Sequence, residues 1–149
     1  MELTWYDVHH SELNIHQLHD ILALRNRVFI VEQQCAYQDI DGQDLARDNR
    51  HVFALGEGRL LACARLLTPA DAGSPVKIGR VIVTSEARGL QLGYRLMEQA
   101  LIGCEQYWPG HQQFLSAQAH LQGFYARIGF KPVGEIYLED NIAHIDMVK

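Results

Sequence analysis

The chain has 149 residues, of which 48% are hydrophobic and 21% charged, with a formal net charge of -5. That length supports one real core and implies one domain, 1–149, while no segment approaches the roughly 20 apolar residues that span a bilayer. The acidic balance, with no cluster of Lys and Arg, argues against a nucleic-acid surface and favours a cationic partner. The opening MELTWYDVHH carries neither a basic stretch nor an apolar one, so a cytoplasmic protein is expected. Cys35, Cys63 and Cys104 are widely spaced and form no C-x-x-C pair, which reads as reduced structural thiols rather than a disulfide framework or a zinc site.

In chain order, Thr4 to Val8 predicts a short strand. Asn14 with Gln17 three residues on makes a capping box for a helix starting at Ile15. Ile15, Leu18, Leu22 and Phe29 form its apolar stripe, with Arg25 and Arg27 to the sides. From Gln33 to Arg50 the apolar signal gives way to a long acidic loop, a length often associated with function. Strands His51 to Leu55 and Arg59 to Leu67 follow, joined at Gly56-Glu57-Gly58, and then a strand from Lys77 to Val83. A helix from about Gly89 to Tyr107 buries Leu96, Met97, Ala100, Leu101 and Cys104, and Trp108-Pro109-Gly110 stops it. Gln113 to Ala117 predicts a strand, Leu121 to Ile128 a helix closed by Gly129, and Lys131 to Tyr137 and Ile142 to Val148 a final hairpin through Glu139-Asp140-Asn141.

The passage IGRVIVTSEARGLQLGYRLMEQAL raises the chemical question. A β-branched strand feeds a helix through a glycine-punctuated turn, which gathers unpaired N–H groups, a positive helix end and Arg88 around one small volume. A phosphate or pyrophosphate suits it, with Arg88, Gly89, Leu90, Gln91, Leu92, Gly93 and Tyr94 as the cradle. Neither the G-x-x-x-x-G-K-[ST] of a P-loop nor the G-x-G-x-x-G of a dinucleotide fold is present.

With RVIVTSEARGLQLGYRLM and GFYARIGF in hand, the chain resembles the GNAT superfamily of acyl-CoA-dependent N-acetyltransferases. VFIVEQQCAYQDIDGQD, IGRVIV, AQAHLQGFY and EDNIAHIDM extend the resemblance to the ElaA subfamily over nearly the whole chain. Arg88 and Gly93 match the superfamily's turn, and Gln91 stands where glycine is usual. The resemblance implies an α/β (α+β) fold. Its mostly antiparallel twisted sheet of about six to seven strands is splayed at the acetyl-CoA site and flanked by about four helices. It implies acetyl-CoA as co-substrate, with backbone groups of Val81, Ile82 and Val83 facing the pantetheine arm, and an N-acetyltransferase acting by direct attack in a ternary complex. The alternative is a non-catalytic acyl-CoA-binding regulatory module.

By the same resemblance Tyr125 is the general acid near the thioester sulfur and a further contact to the cofactor. At pH 7 a lysine amine of pKa ~10.4 is only ~0.04% neutral, against ~14% for an α-amine near 7.8, so the acceptor decides how strong a base is needed. Glu32 is the first candidate, with His144 the other. Glu32, Asp39 and Asp41 are the candidate acceptor-binding carboxylates, for an amine-bearing small molecule, peptide or protein. The eight histidines show no ligand spacing beside carboxylates, so no metal is expected. Homodimerisation is left open.

Overall fold

The computed structural model describes residues 2–88 and 91–149. Its seven-stranded sheet runs β1-β2-β3-β4-β5-β7-β6 and is antiparallel throughout except between β4 and β5. The strands are β1 (Leu3–His9), β2 (Arg50–Gly56), β3 (Arg59–Leu67), β4 (Val76–Val83), β5 (Gln113–Gln118), β6 (Lys131–Glu139) and β7 (Ile142–Val148). Both expected hairpin turns form at residues with positive φ, Glu57 and Gly58 in one and Asp140 and Asn141 in the other. Left-handed pairs of this kind match the twist of the strands they join.

Three α-helices flank the sheet among the described residues, α1 (Ile15–Arg25), α2 (Leu92–Tyr107) and α3 (Gln122–Ile128), one fewer than expected. The predicted first helix does continue past residue 25, but as a π-helical segment over Asn26–Glu32. There Gln33 N–H bonds Val28 O at 3.1 Å and Cys35 N–H bonds Ile30 O at 3.2 Å, each five residues back. The Asn14–Gln17 capping box is present in both directions. The buried face of α1 is Ile21, Leu24 and Arg25, while Ile15 is exposed, so the predicted stripe is rotated. Positions 21, 24, 25 and 28 do follow helical spacing, and the pattern is hidden because one of them is an arginine.

Strand alternation divides the core. Val52, Ala54, Ala62, Ala64 and Leu66 pack with Leu96, Met97, Ala100 and Cys104 of α2, whereas Phe53, Cys63 and Ile82 pack with Ile21 and Leu24 of α1. Cys63 and Cys104 are free and buried, and burial pushes both thiols up to about 12. The close approach of α2 depends on Gly103, where a Cβ would strike the Asp7 carboxylate and lie 3.3 Å from Leu66 Cδ1. Asp7 cannot simply swing away, because it holds Arg50 Nε at 2.9 Å. Gly103→Ala is therefore expected to destabilise the fold by about 1–3 kcal/mol despite alanine's better helix propensity, read as a lower urea midpoint.

Candidate acyl-transfer site

Two irregularities in the sheet make the site. Strands β4 and β5 pair only at Val76 with Gln113 and Lys77 with Phe114, and beyond that they are no longer paired, leaving a gap toward their C-terminal ends. In addition, Cys63 pairs with Ile82 and Arg65 with Gly79, so Ala64 faces both Arg80 and Val81, a bulge with Arg80 at φ 52. The resulting cleft has a volume of about 840 Å³, and its walls include Val81, Ile82 and Val83 of β4, Ser116, Ala117 and Gln118 of β5, Tyr125 of α3 and His144 of β7.

At one end the cleft meets the start of α2, where Arg88, Gln91, Leu92, Gly93 and Tyr94 line it. Gln91 precedes the helix at φ 54 and ψ 27 and offers no side-chain cap. Among the described residues the first bond seen there runs from Arg95 N–H to Gln91 O at 3.3 Å, and the N–H groups of Leu92, Gly93 and Tyr94, in the first turn of the helix, have no acceptor among those residues. The turn thus presents free donors, a helix dipole and a guanidinium on the cleft, the chemistry that a pyrophosphate requires. The left-handed backbone at Gln91 explains why glycine is usual at that position. A Cβ on Gly93 would lie 3.2 Å from the Phe124 ring, so glycine there lets α2 approach α3. Gly89 and Leu90 lie outside the described residues.

Residues 15–149 match the acetyltransferase (GNAT) domain. The chain belongs to the GNAT acetyltransferase family. It is 50% identical to the ElaA protein of Escherichia coli K12 over 147 residues, covering 99% of this chain and 96% of that one. The crystal structure of E. coli ElaA superposes with a TM-score of 0.95 at 49% identity, covering 99% of both chains. A Pseudomonas aeruginosa protein described as an acyl-CoA N-acyltransferase superposes with a TM-score of 0.94 at 48% identity, again over 99% of both. The expected GNAT sheet, its opening between β4 and β5 and its kinship with ElaA are therefore all found.

Within this GNAT cleft Tyr125 is 6% exposed, and burial pushes its phenol up to about 12. Its hydroxyl has no hydrogen-bond partner among the described residues, while Phe124 and Phe130 pack edge-on against its ring. His144 lines the same cleft. Its Nδ1 lies 2.7 Å from Ile142 O, and a carbonyl can only accept, so Nδ1 carries a proton and Nε2, 3.9 Å from Glu139 Oε2, is the nitrogen that holds the lone pair in the neutral ring. The imidazole stacks on Tyr137, whose hydroxyl donates to Asp146 Oδ1 at 2.6 Å, and Ser116 Oγ donates to the same oxygen at 2.9 Å. The alternation that puts His144 and Asp146 on one face thus leads to an indirect support, Asp146 to Tyr137 to His144.

Glu32 is not part of this cleft. It ends the π-helical segment, half exposed, with Arg27 Nε 4.0 Å away, and borders a shallower depression with Thr84, Ser85, Glu86 and Arg88. Asp39 and Asp41 are not free carboxylates either. Asp39 takes Arg25 Nε at 2.9 Å and the Tyr37 hydroxyl at 2.8 Å, and Asp41 takes Arg65 through both terminal nitrogens at 2.9 and 2.8 Å. Asp44 binds Arg25 at 2.6 Å and Arg65 at 3.1 Å, and its carbonyl contacts His51 Nε2 at 2.9 Å. The loop that reads as an acidic surface is folded inward onto three arginines. Arg25, Arg65 and Arg80 are spread over 55 residues of sequence and meet only in the fold, so the loop's own composition gives no hint of neutralisation. Arg80 had one local signal, a lone charge within the otherwise apolar IGRVIV strand.

Proposed function

We propose that this protein is an N-acetyltransferase that moves an acetyl group from acetyl-CoA to an amine by direct attack within a ternary complex. The observation that carries the reading is that Tyr125 and His144 line one cleft, which also meets the uncapped start of α2. Acetyl-CoA supplies an acetyl group activated as a thioester. Arg88 and the N–H groups of Leu92, Gly93 and Tyr94 bind its pyrophosphate, and the strand backbone of Val81 to Val83 pairs with the amide-bearing arm. As the acceptor nitrogen bonds to the carbonyl carbon and the C–S bond breaks, His144 Nε2 takes the proton lost by nitrogen. Tyr125 gives its proton to the departing sulfur. Burial keeps that phenol protonated, the form an acid needs, and makes it release the proton only as negative charge develops on sulfur. One residue ends a proton richer and the other a proton poorer, and solvent restores both.

The test is release of free CoA thiol by purified protein offered a panel of amines, alongside a thermal shift with acetyl-CoA. Amine-dependent release supports the enzyme. A thermal shift without release from any amine identifies a binding module instead. Arg88→Ala should raise the Kd for CoA about tenfold, corresponding to a lost charge-assisted contact of about 1.5 kcal/mol. His144→Ala should slow single-turnover transfer by about 100-fold, whereas Glu32→Gln, outside the cleft, should leave it within about twofold. A large loss from Glu32→Gln with none from His144→Ala would return the base to Glu32.

A further inference from the structure

The cleft carries charge that the proposed reaction does not use. Its charged lining is Arg65, Lys77, Arg80 and Arg88 against Glu139 and Asp140, and the aspartates expected to make the region acidic are already spent on arginines. Arg88 belongs to the pyrophosphate turn, but Arg80 does not. It occupies the β4 bulge at φ 52, a left-handed conformation that a residue with a Cβ rarely adopts. Glycine would fill that position more cheaply. A guanidinium is kept there despite the cost.

The hydrogen bonding of Arg80 is incomplete. Its Nη2 donates to Asp39 O at 3.1 Å and Asp41 Oδ2 at 3.4 Å. Its Nε lies 2.7 Å from Asp39 Oδ1, but the N–H is not aligned with that oxygen. Its Nη1 has no acceptor among the described residues. Arg65, 4% exposed, pairs with Gly79 in the sheet next to Arg80 and shares Asp41 with it. Its Nε is also buried without an acceptor among the described residues. Arg80 therefore lines the cleft with a donor to spare at Nη1, and Arg65 beside it, its terminal nitrogens held by Asp41 and Asp44, adds its charge to the same wall. An ammonium gains nothing from such a wall, whereas a carboxylate gains charge-assisted hydrogen bonds.

Resting on the acetyltransferase reading above, we propose that Arg80, backed by Arg65, binds the carboxylate of a small amino-acid acceptor. The substrate is then zwitterionic, its carboxylate on the β4 wall and its amine toward His144 on β7. Glu139 and Asp140, on the hairpin beside His144, favour the incoming ammonium and disfavour the reversed orientation. Amines with no anionic group, such as polyamines, lack half of this recognition.

Product-like probes read the subsite without turnover. N-acetylglycine, N-acetyl-β-alanine and N-acetyl-4-aminobutyrate, each with its primary amide, would be titrated calorimetrically into CoA-saturated wild type, Arg80→Gln and Arg80→Lys. At least one acid should bind wild type about tenfold or more tightly than its amide. That preference should vanish in Arg80→Gln and survive in part in Arg80→Lys, with CoA affinity unchanged as the check on folding. Equal binding of acids and amides, no binding by any probe, or a preference that survives Arg80→Gln would each overturn the inference. Should Arg80→Gln fail to fold, the wild-type comparison and Arg80→Lys still decide.

In parallel, CoA release would be followed with the free amino acids, their amides and spermidine. Amidation lowers the pKa of a nearby amine and raises its neutral fraction, so a preference for the acids cannot come from amine reactivity. Release with spermidine or the amides but not with the acids overturns the carboxylate site and leaves the acetyltransferase standing. Binding preference for an acid with no release from any amine upholds the carboxylate site and sinks the reaction.

Discussion

Tyr125→Phe is expected to lower single-turnover acetyl transfer by about 100-fold or more while leaving CoA binding and the thermal midpoint almost unchanged. The substitution keeps the ring that packs between Phe124 and Phe130 and deletes only a hydroxyl with no hydrogen-bond partner among the described residues. A core tyrosine with no catalytic duty would show the reverse pattern, with the rate intact and stability neutral or raised by removal of an unpaired polar group. Rapid-quench measurement with the best acceptor from the amine panel separates the two. An unchanged chemical step would reassign Tyr125 to packing and leave the thiolate to depart unprotonated or to be protonated by water.

Arg25→Met is expected to cost about 3–5 kcal/mol of folding stability, a fifth or more of what a domain of this size typically has. Arg25 is 1% exposed and makes four hydrogen bonds to Asp39 and Asp44, so its removal leaves two buried carboxylates under-compensated, Asp39 with Tyr37 and Arg80 and Asp44 with Arg65 alone among side chains. Urea midpoints of Arg25→Met and of Arg25→Met with Asp44→Asn provide the check. The second change should recover part of the loss, because it removes one buried charge left with a single arginine. An unchanged midpoint in Arg25→Met would mean that the loop is not anchored by this network.

The same network sets a direction for pH. Burial favours the neutral form of Asp41, but hydrogen bonds from Arg65 and from Gln43 N–H outweigh it and hold the carboxyl down at about 2. Asp44 is lowered in the same way, with Arg25 outweighing burial. A carboxyl depressed in the folded state contributes stability that is fully present above its unfolded pKa of about 3.9 and is lost as pH falls through the folded value. Stability should therefore decline between about pH 4 and pH 2, with the loop from residue 33 to 49 loosening along with it. Asp7, whose carboxyl is raised chiefly by burial, works in the opposite direction and softens that decline. Amide exchange in the loop, followed down that pH range, tests this directly.

Local chemistry in the sequence determined much about this protein. The Asn14–Gln17 box and the glycine and Asp-Asn turns each depend on residues a few positions apart, and each forms as read, while the helix read from about Gly89 begins at Leu92 among the described residues. The motifs at 80–97 and 123–130 also named the family, because a pyrophosphate turn must be built from contiguous backbone donors. Tertiary structure alone decided what became of the charges. Arg25, Arg65 and Arg80 come from a helix and two strands, and their convergence on Asp39, Asp41 and Asp44 is long-range, so no window of sequence reveals that the acidic loop is neutral once folded. The same holds for separating Glu32 from Tyr125 and for joining Tyr125 with His144. Whether two side chains share a cleft depends on where β4 and β5 stop pairing, a property of the sheet as a whole and not of any residue in it.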